Sequence, residues 1–438
     1  MGRGPSPGLT TPGRSPRWCR GAGALVAAAV LALAGCGSPS APSTPPSSAT
    51  VSTAAADGVP QLVVDDLVRA ARDDDRPAFD DRISTVDRSF AERARMLYGN
   101  LSGLPWDTLD VRLGTGRQPV PARLRTLLGP DAWRQPATVR WRLAGETADA
   151  EHTVWLTFAL DRGRPRLAGT AAPEEPDDPA DAHRPQPVWW TGPVTAAGRD
   201  GVTVLVGSGQ PADAWLDRAV AASTEVGERV SAGEAADWDR GLVVEVPASR
   251  AAFEAVLGAD PGSYAAIAAV TSAEGPDAGA ALRVVVNPEV SRALAPLGVA
   301  VVLTHETVHV ATRSPDSPAP SWIVEGLADQ VALAAHPDAA AGVAEPLLER
   351  VRADGPPDQL PGDEAFLAGA DDLAVSYAEA WTLCRHIADA WSPEALQQLY
   401  TALDDGQRPA DALATALGTD EQSLLEGWRT ALAQQARG

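Results

Sequence analysis

The sequence predicts an α+β protein in two folded units. A small helices-then-strands domain covers residues 59–172, and a larger domain over 188–436 has a mixed sheet followed by a helical half. Three observations carry this. Strand-like runs, such as Val154 to Leu160 and Leu242 to Val246, are interleaved with amphipathic stretches. From Val299 onward the apolar spacing is helical almost to the end of the chain. Between the two units, residues 173–187 are acidic, proline-rich and without large apolar side chains, the composition of a stiff linker.

The first 35 residues have the pattern of an export signal. Arg3, Arg14, Arg17 and Arg20 precede an apolar run from Ala22 to Ala34, too short to span a membrane stably. The run closes on Leu33-Ala34-Gly35-Cys36, which resembles a bacterial lipobox and implies acylation of Cys36 as the mature N-terminus. The expected location is the cell membrane, lipid-anchored on the extracytoplasmic face. Residues 36–58 are Ser, Pro, Ala and Thr with little to bury, so they read as a disordered tether. Cys19 leaves with the signal and Cys36 is acylated, so Cys384 is the one mature thiol and no internal disulfide is expected.

Charge excludes one class of partner. The chain holds 36 basic and 58 acidic residues, for a formal net charge of -22, and every basic residue is arginine. Removing the four signal arginines takes this to -22 - 4 = -26. No basic stripe is present, which argues against nucleic acid.

In the first domain, Leu62, Val63, Leu67 and Val68 mark one amphipathic helix and Phe90 to Leu101 another. Thr138 to Leu143 and Val154 to Leu160 alternate as strands, the second with Val154, Leu156, Phe158 and Leu160 on one face. Helices followed by a curved sheet look like an NTF2-like domain. Arg140 and Arg142 are expected on a solvated face, and His152 has no evident role. In the second domain, strands are expected at 202–206, 242–246 and 282–286. A helix over 213–230 should face inward with Trp215, Ala219, Ala222 and Val226, and Ser249 should cap another.

The chemistry lies in Val301-Val302-Leu303-Thr304-His305-Glu306-Thr307-Val308-His309-Val310, which reads H-E-x-x-H in an apolar helix. Residues four apart share a helical face, so His305 and His309 can address one zinc ion. Glu306, rotated away from ligation, is placed as a general base toward water at the metal. A catalytic zinc needs a third protein ligand and one open position. Downstream, Ser321 is expected to cap a second helix with Ile323, Leu327 and Val331 on one stripe. Glu325, Ala328, Asp329 and Ala332 share a small, acidic face. Glu325 is the expected third ligand, and Asp329 is either an alternative ligand or an acceptor that orients a histidine N–H.

These residues resemble a known family. His305-Glu306-x-x-His309 followed by Trp322-x-x-Glu325-Gly326-x-Ala328 is similar to the gluzincins, in particular the bacterial peptidase MA-like family, over roughly residues 188–436. The resemblance implies a zincin-like fold, zinc held by His305, His309 and Glu325, Glu306 as catalytic base, and a peptide or protein substrate. It also offers Tyr377 as a catalytic hydroxyl for the developing oxyanion. Tyr377, Trp381, Cys384, Ala388 and Trp391 equally make a helical core stripe, so packing and chemistry both stay open there. A zinc metallopeptidase working as a monomer is the leading expectation. A non-catalytic surface lipoprotein that uses the same fold for binding is the alternative. A purely structural zinc is disfavoured because such sites are usually closed and rich in cysteine.

Overall fold

The computed structural model describes residues 54–171, 184–367, 370 and 372–437. The signal segment, the tether, Cys36 and most of the linker lie outside the described residues. The protein is mixed, with 53% helix and 18% strand, which places it in the α+β class.

Helices α1 (Ala54–Arg72), α2 (Arg76–Asp81) and α3 (Arg88–Gly103) come first. Asp75 and Asp87 begin α2 and α3 by accepting from backbone N–H groups of the first turn. Then follow β1 (Trp106–Leu113), β2 (Gln118–Pro119), α4 (Ala122–Leu128), β3 (Trp133–Leu143), β4 (Ala150–Asp161) and β5 (Arg164–Gly169). They form an antiparallel sheet in the order β1-β3-β4-β5, with β2 also on β3. Along β4, Val154 to Ala159 are all buried rather than alternating, while Leu160 is exposed. The reason is a second small core on the far face, where Val120, Leu128 and Ala132 meet Ala159 and Ala168. Arg140 and Arg142 sit where a solvated face requires, paired to Glu151 and Asp107.

The second unit opens with α5 (Val188–Thr191), β6 (Val194–Arg199), β7 (Val202–Gly207) and α6 (Ala212–Arg229). Next come β8 (Leu242–Val246), α7 (Arg250–Leu257), β9 (Ala269–Ala273), β10 (Leu282–Val286) and α8 (Pro288–Ala293). Its sheet runs β6-β7-β8-β10-β9, with β7, β8 and β10 parallel and β6 and β9 antiparallel at the two edges. The helical half is α9 (Pro296–Thr312), α10 (Ser321–Ala335), α11 (Pro337–Asp354), α12 (Leu373–Ala390), α13 (Pro393–Asp404), α14 (Pro409–Ala416) and α15 (Glu421–Gln435). One sheet face packs α6 and α9 through alternate residues such as Val204, Val244 and Val284 against Trp215, Ala219 and Leu303.

Among the described residues the units are joined by more than a chain crossing. Trp189 is buried edge-on against both Trp106 and Trp141. Asn100 donates to the carbonyls of Trp189 and Gly192. The backbone N–H of Glu151 and that of Ala281 bond across to Glu274 and Asp149. At the centre is Arg283, wholly buried, which donates to Glu245 at 2.8 Å and to both carboxylate oxygens of Glu146 at 3.1 Å. His152, without a role in the sequence, is buried here with Nε2 3.0 Å from Glu274.

Candidate metal centre

The apolar run around His305 becomes α9, a helix buried on nearly every side. Pro296 sits at its first turn, where a missing N–H costs nothing. It ends at Arg313, whose φ of 50° turns the chain and allows Ser314 back toward the helix. Pro318 and Pro320 then redirect the chain into α10. Ser321 is not the cap: Pro320 holds that position, and Ser321 is the first helical residue, its N–H donating to Asp363 at 2.8 Å. The preceding proline fixes the extended entry and leaves the serine N–H to an outside carboxylate.

Gly326 explains how close α10 lies to α12. A Cβ there would fall 2.4 Å from the Ala380 carbonyl oxygen and 2.4 Å from the Cys384 sulfur. Neither could yield without parting the helices, so the residue beside Glu325 must be glycine.

The two helices bring His305, His309 and Glu325 together, with one ligand atom from each within 4.8 Å of the others. Glu325 Oε2 is 3.2 Å from His305 Nε2 and 3.5 Å from His309 Nε2, and the two Nε2 atoms are 2.9 Å apart. The far ring nitrogens are held from behind. His305 Nδ1 meets Asp329 Oδ1 at 2.8 Å, and His309 Nδ1 meets Ser314 Oγ at 2.7 Å. With Asp329 accepting at Nδ1, the neutral ring of His305 would present its lone pair on Nε2. That lone pair faces His309 Nε2 and an anionic oxygen, an arrangement a cation would stabilise. Two imidazole nitrogens and one carboxylate oxygen are a donor set that fits zinc with one position left over. This buried group can hold a metal ion.

Glu306 belongs to a different face of α9. Its Oε2 accepts from Thr271 Oγ1 on β9 at 2.7 Å, while its Oε1 is buried without a hydrogen-bond partner. Burial raises its pKa, opposed by His305, His309 and the Thr271 hydroxyl. In Glu325 the balance is reversed: burial pushes upward, but His309 and His305 outweigh it and bring the carboxyl down to about 2. The two carboxylates are thus set apart, one poised to stay charged and one closer to a working base.

Tyr377 is 2% exposed on α12, its ring 6.3 Å from that of His305 and 5.6 Å from Phe366. Cys384 is buried and free, beside Trp322. His336 and His386 do not join the cluster. No family model, curated protein or solved structure matches this chain.

Two contributors escaped the sequence: Ser314 and Thr271. The motif's neighbour at position five onward gives a weak hint of Ser314, and nothing marks Thr271, which lies 35 residues upstream of its partner. The group is closed in this conformation. His305, Glu306, His309 and Glu325 are at most 3% exposed. A cleft of about 500 Å³ between the units is lined by Glu146, Trp238, Asp239, Val310 and Arg313, and by none of the four.

Proposed function

We propose that this chain is a gluzincin-type zinc metallopeptidase of the bacterial peptidase MA-like kind, with a zincin-like domain preceded by an NTF2-like one. The single observation that supports it most is the convergence of His305, His309 and Glu325 with Glu306 alongside, one carboxylate oxygen held and the other bare. A binding or scaffold protein has use for a metal but none for a buried, half-paired base.

His305, His309 and Glu325 would hold zinc, and Asp329 and Ser314 fix the ring orientations. Zinc in such a site supplies a Lewis acid that polarises the scissile carbonyl and brings the pKa of water to about 7. Glu306 Oε1 accepts the proton from the attacking water and then delivers it to the nitrogen of the leaving amine. The antiparallel edge strand β9 offers backbone groups for an extended peptide to pair with. With the site at most 3% exposed, substrate entry requires the cover over α9 and α10 to open. Cys36, outside the described residues, would carry the lipid that keeps the enzyme on the extracytoplasmic face of the membrane. Cys36→Ala tests this by fractionation: release from membranes supports it, and unchanged membrane binding at mature size contradicts it.

The activity is tested by loading purified protein with zinc, incubating it with a peptide library and reading cleavage by mass spectrometry. Cleavage that a chelator abolishes and zinc restores is the expected result. One bound zinc with no cleavage would favour the binding-module alternative.

A further inference from the structure

Taking the metallopeptidase reading as its basis, we propose that Thr271 is the positioning residue for the base. Its hydroxyl pins Glu306 Oε2 so that Oε1 alone is presented to water.

The argument begins with the two faces of α9. His305 and His309 look toward α10, whereas Glu306 falls in the stripe with Val299, Val302, Leu303 and Val310 that packs on the sheet. Opposite that stripe, β9 presents Ala269, Thr271 and Ala273 on alternate positions of one face. Small flanking residues let the helix come close, and one hydroxyl meets one carboxylate in an otherwise apolar contact. Thr271 is 3% exposed and Glu306 is 0% exposed, so water does not compete for this bond.

The hydroxyl touches Glu306 twice, at 2.7 Å to Oε2 and at 3.0 Å to the backbone carbonyl oxygen. It has a single proton to give, and the charged oxygen is the nearer and stronger acceptor. The hydroxyl therefore donates to Oε2 and holds that end of the carboxylate beside β9. Oε1 is buried and has no partner. A buried acceptor left bare is costly, so it marks where a water belongs during turnover. β9 is also one of the two edge strands, and the same residue thus ties the base to the strand along which a peptide would lie.

The test replaces the hydroxyl alone. Thr271→Val keeps the shape, and Thr271→Ser keeps the hydroxyl. With zinc content equal to wild type, Thr271→Val is expected to lower kcat by about 10- to 100-fold with KM within about twofold, because a displaced catalytic group costs turnover rather than binding. Thr271→Ser should return to within about threefold of wild type. A second reading needs no turnover. In metal-free protein Thr271→Val should lower Tm by about 2–6 °C, because Oε2 loses its donor. In a Glu306→Ala background the same change should leave Tm where it was. Should Thr271→Val not fold, Thr271→Ala carries both measurements. The proposal is overturned if the hydroxyl-free variant turns over like wild type, if serine is as impaired as valine, or if the Tm loss persists without Glu306. A wild-type chain that binds zinc and cleaves no peptide overturns the metallopeptidase reading itself, and this proposal with it. Normal wild-type cleavage with an unaffected Thr271→Val overturns the proposal alone.

Discussion

Replacing Asp329 separates the residue that orients a ligand from the residue that is one. Asp329 Oδ1 sits 2.8 Å from His305 Nδ1, on the side of the ring away from Glu325, with its side chain 13% exposed and that of His305 at 2%. Asp329→Ala leaves the three converging atoms in place but removes the acceptor that fixes the ring and its tautomer. Losses of this kind are about 10- to 100-fold in metal affinity, or about 1.4–2.7 kcal/mol. Glu325→Ala deletes a donor whose oxygen lies 3.2 Å and 3.5 Å from the two Nε2 atoms, and should cost more. Competition against a chromophoric zinc chelator at fixed pH measures both. The expected order of affinity is wild type, then Asp329→Ala, then Glu325→Ala, with Asp329→Asn between wild type and Asp329→Ala because an amide oxygen still accepts. If Asp329→Ala lost the metal outright while Glu325→Ala kept one zinc per chain, the ligand would lie one turn further along α10.

The buried network between the units makes a second prediction. Arg283→Met would leave Glu245, with its side chain 0% exposed, with no cation beside it, and would take from Glu146 its bidentate partner. Stranded buried charges cost about 3–5 kcal/mol, so calorimetry should show a Tm several degrees lower, and an unchanged Tm would rule out this role. Glu379 on α12 titrates in a useful range, since burial lifts its carboxyl to about 7 against the pull of Arg350. A raised carboxyl pKa means ionisation opposes folding: no penalty below about pH 4.5, full penalty above pH 7. Allowing for its partial exposure, Glu379→Gln should stabilise by about 1–2 kcal/mol at pH 8 and by nothing measurable at pH 4, and equal stabilisation at both would contradict the burial argument.

Much of this architecture follows from local pattern. Apolar runs mark β7, β8 and β10, and four-residue spacing puts His305 and His309 on one face of α9. Ser249 and Ser392 cap α7 and α13 as their positions suggest. What was hidden is what depends on distant partners. β9 reads Ala-Val-Thr-Ser-Ala, with little intrinsic strand preference, and is a strand because β10 lies beside it. Thr271 was therefore invisible as part of the site. Arg283 interrupts an apolar run that reads as an ordinary strand, and its Glu146 partner is 137 residues away in the other unit. His152 has no local signal for the same reason, its partner Glu274 lying 122 residues away. Tyr377 stays on its helical stripe and also beside His305, so position alone leaves its two roles undivided.

The most direct test of the central claim is the Glu306→Gln variant, measured for zinc and for peptide hydrolysis together. The amide keeps the shape and can still accept from Thr271, but its oxygen is not basic. Zinc content, fold and Tm should match wild type, while hydrolysis of a peptide cut by wild type falls by about a hundredfold or more. Hydrolysis at the wild-type rate with zinc fully bound would remove Glu306 from the chemistry and contradict the account.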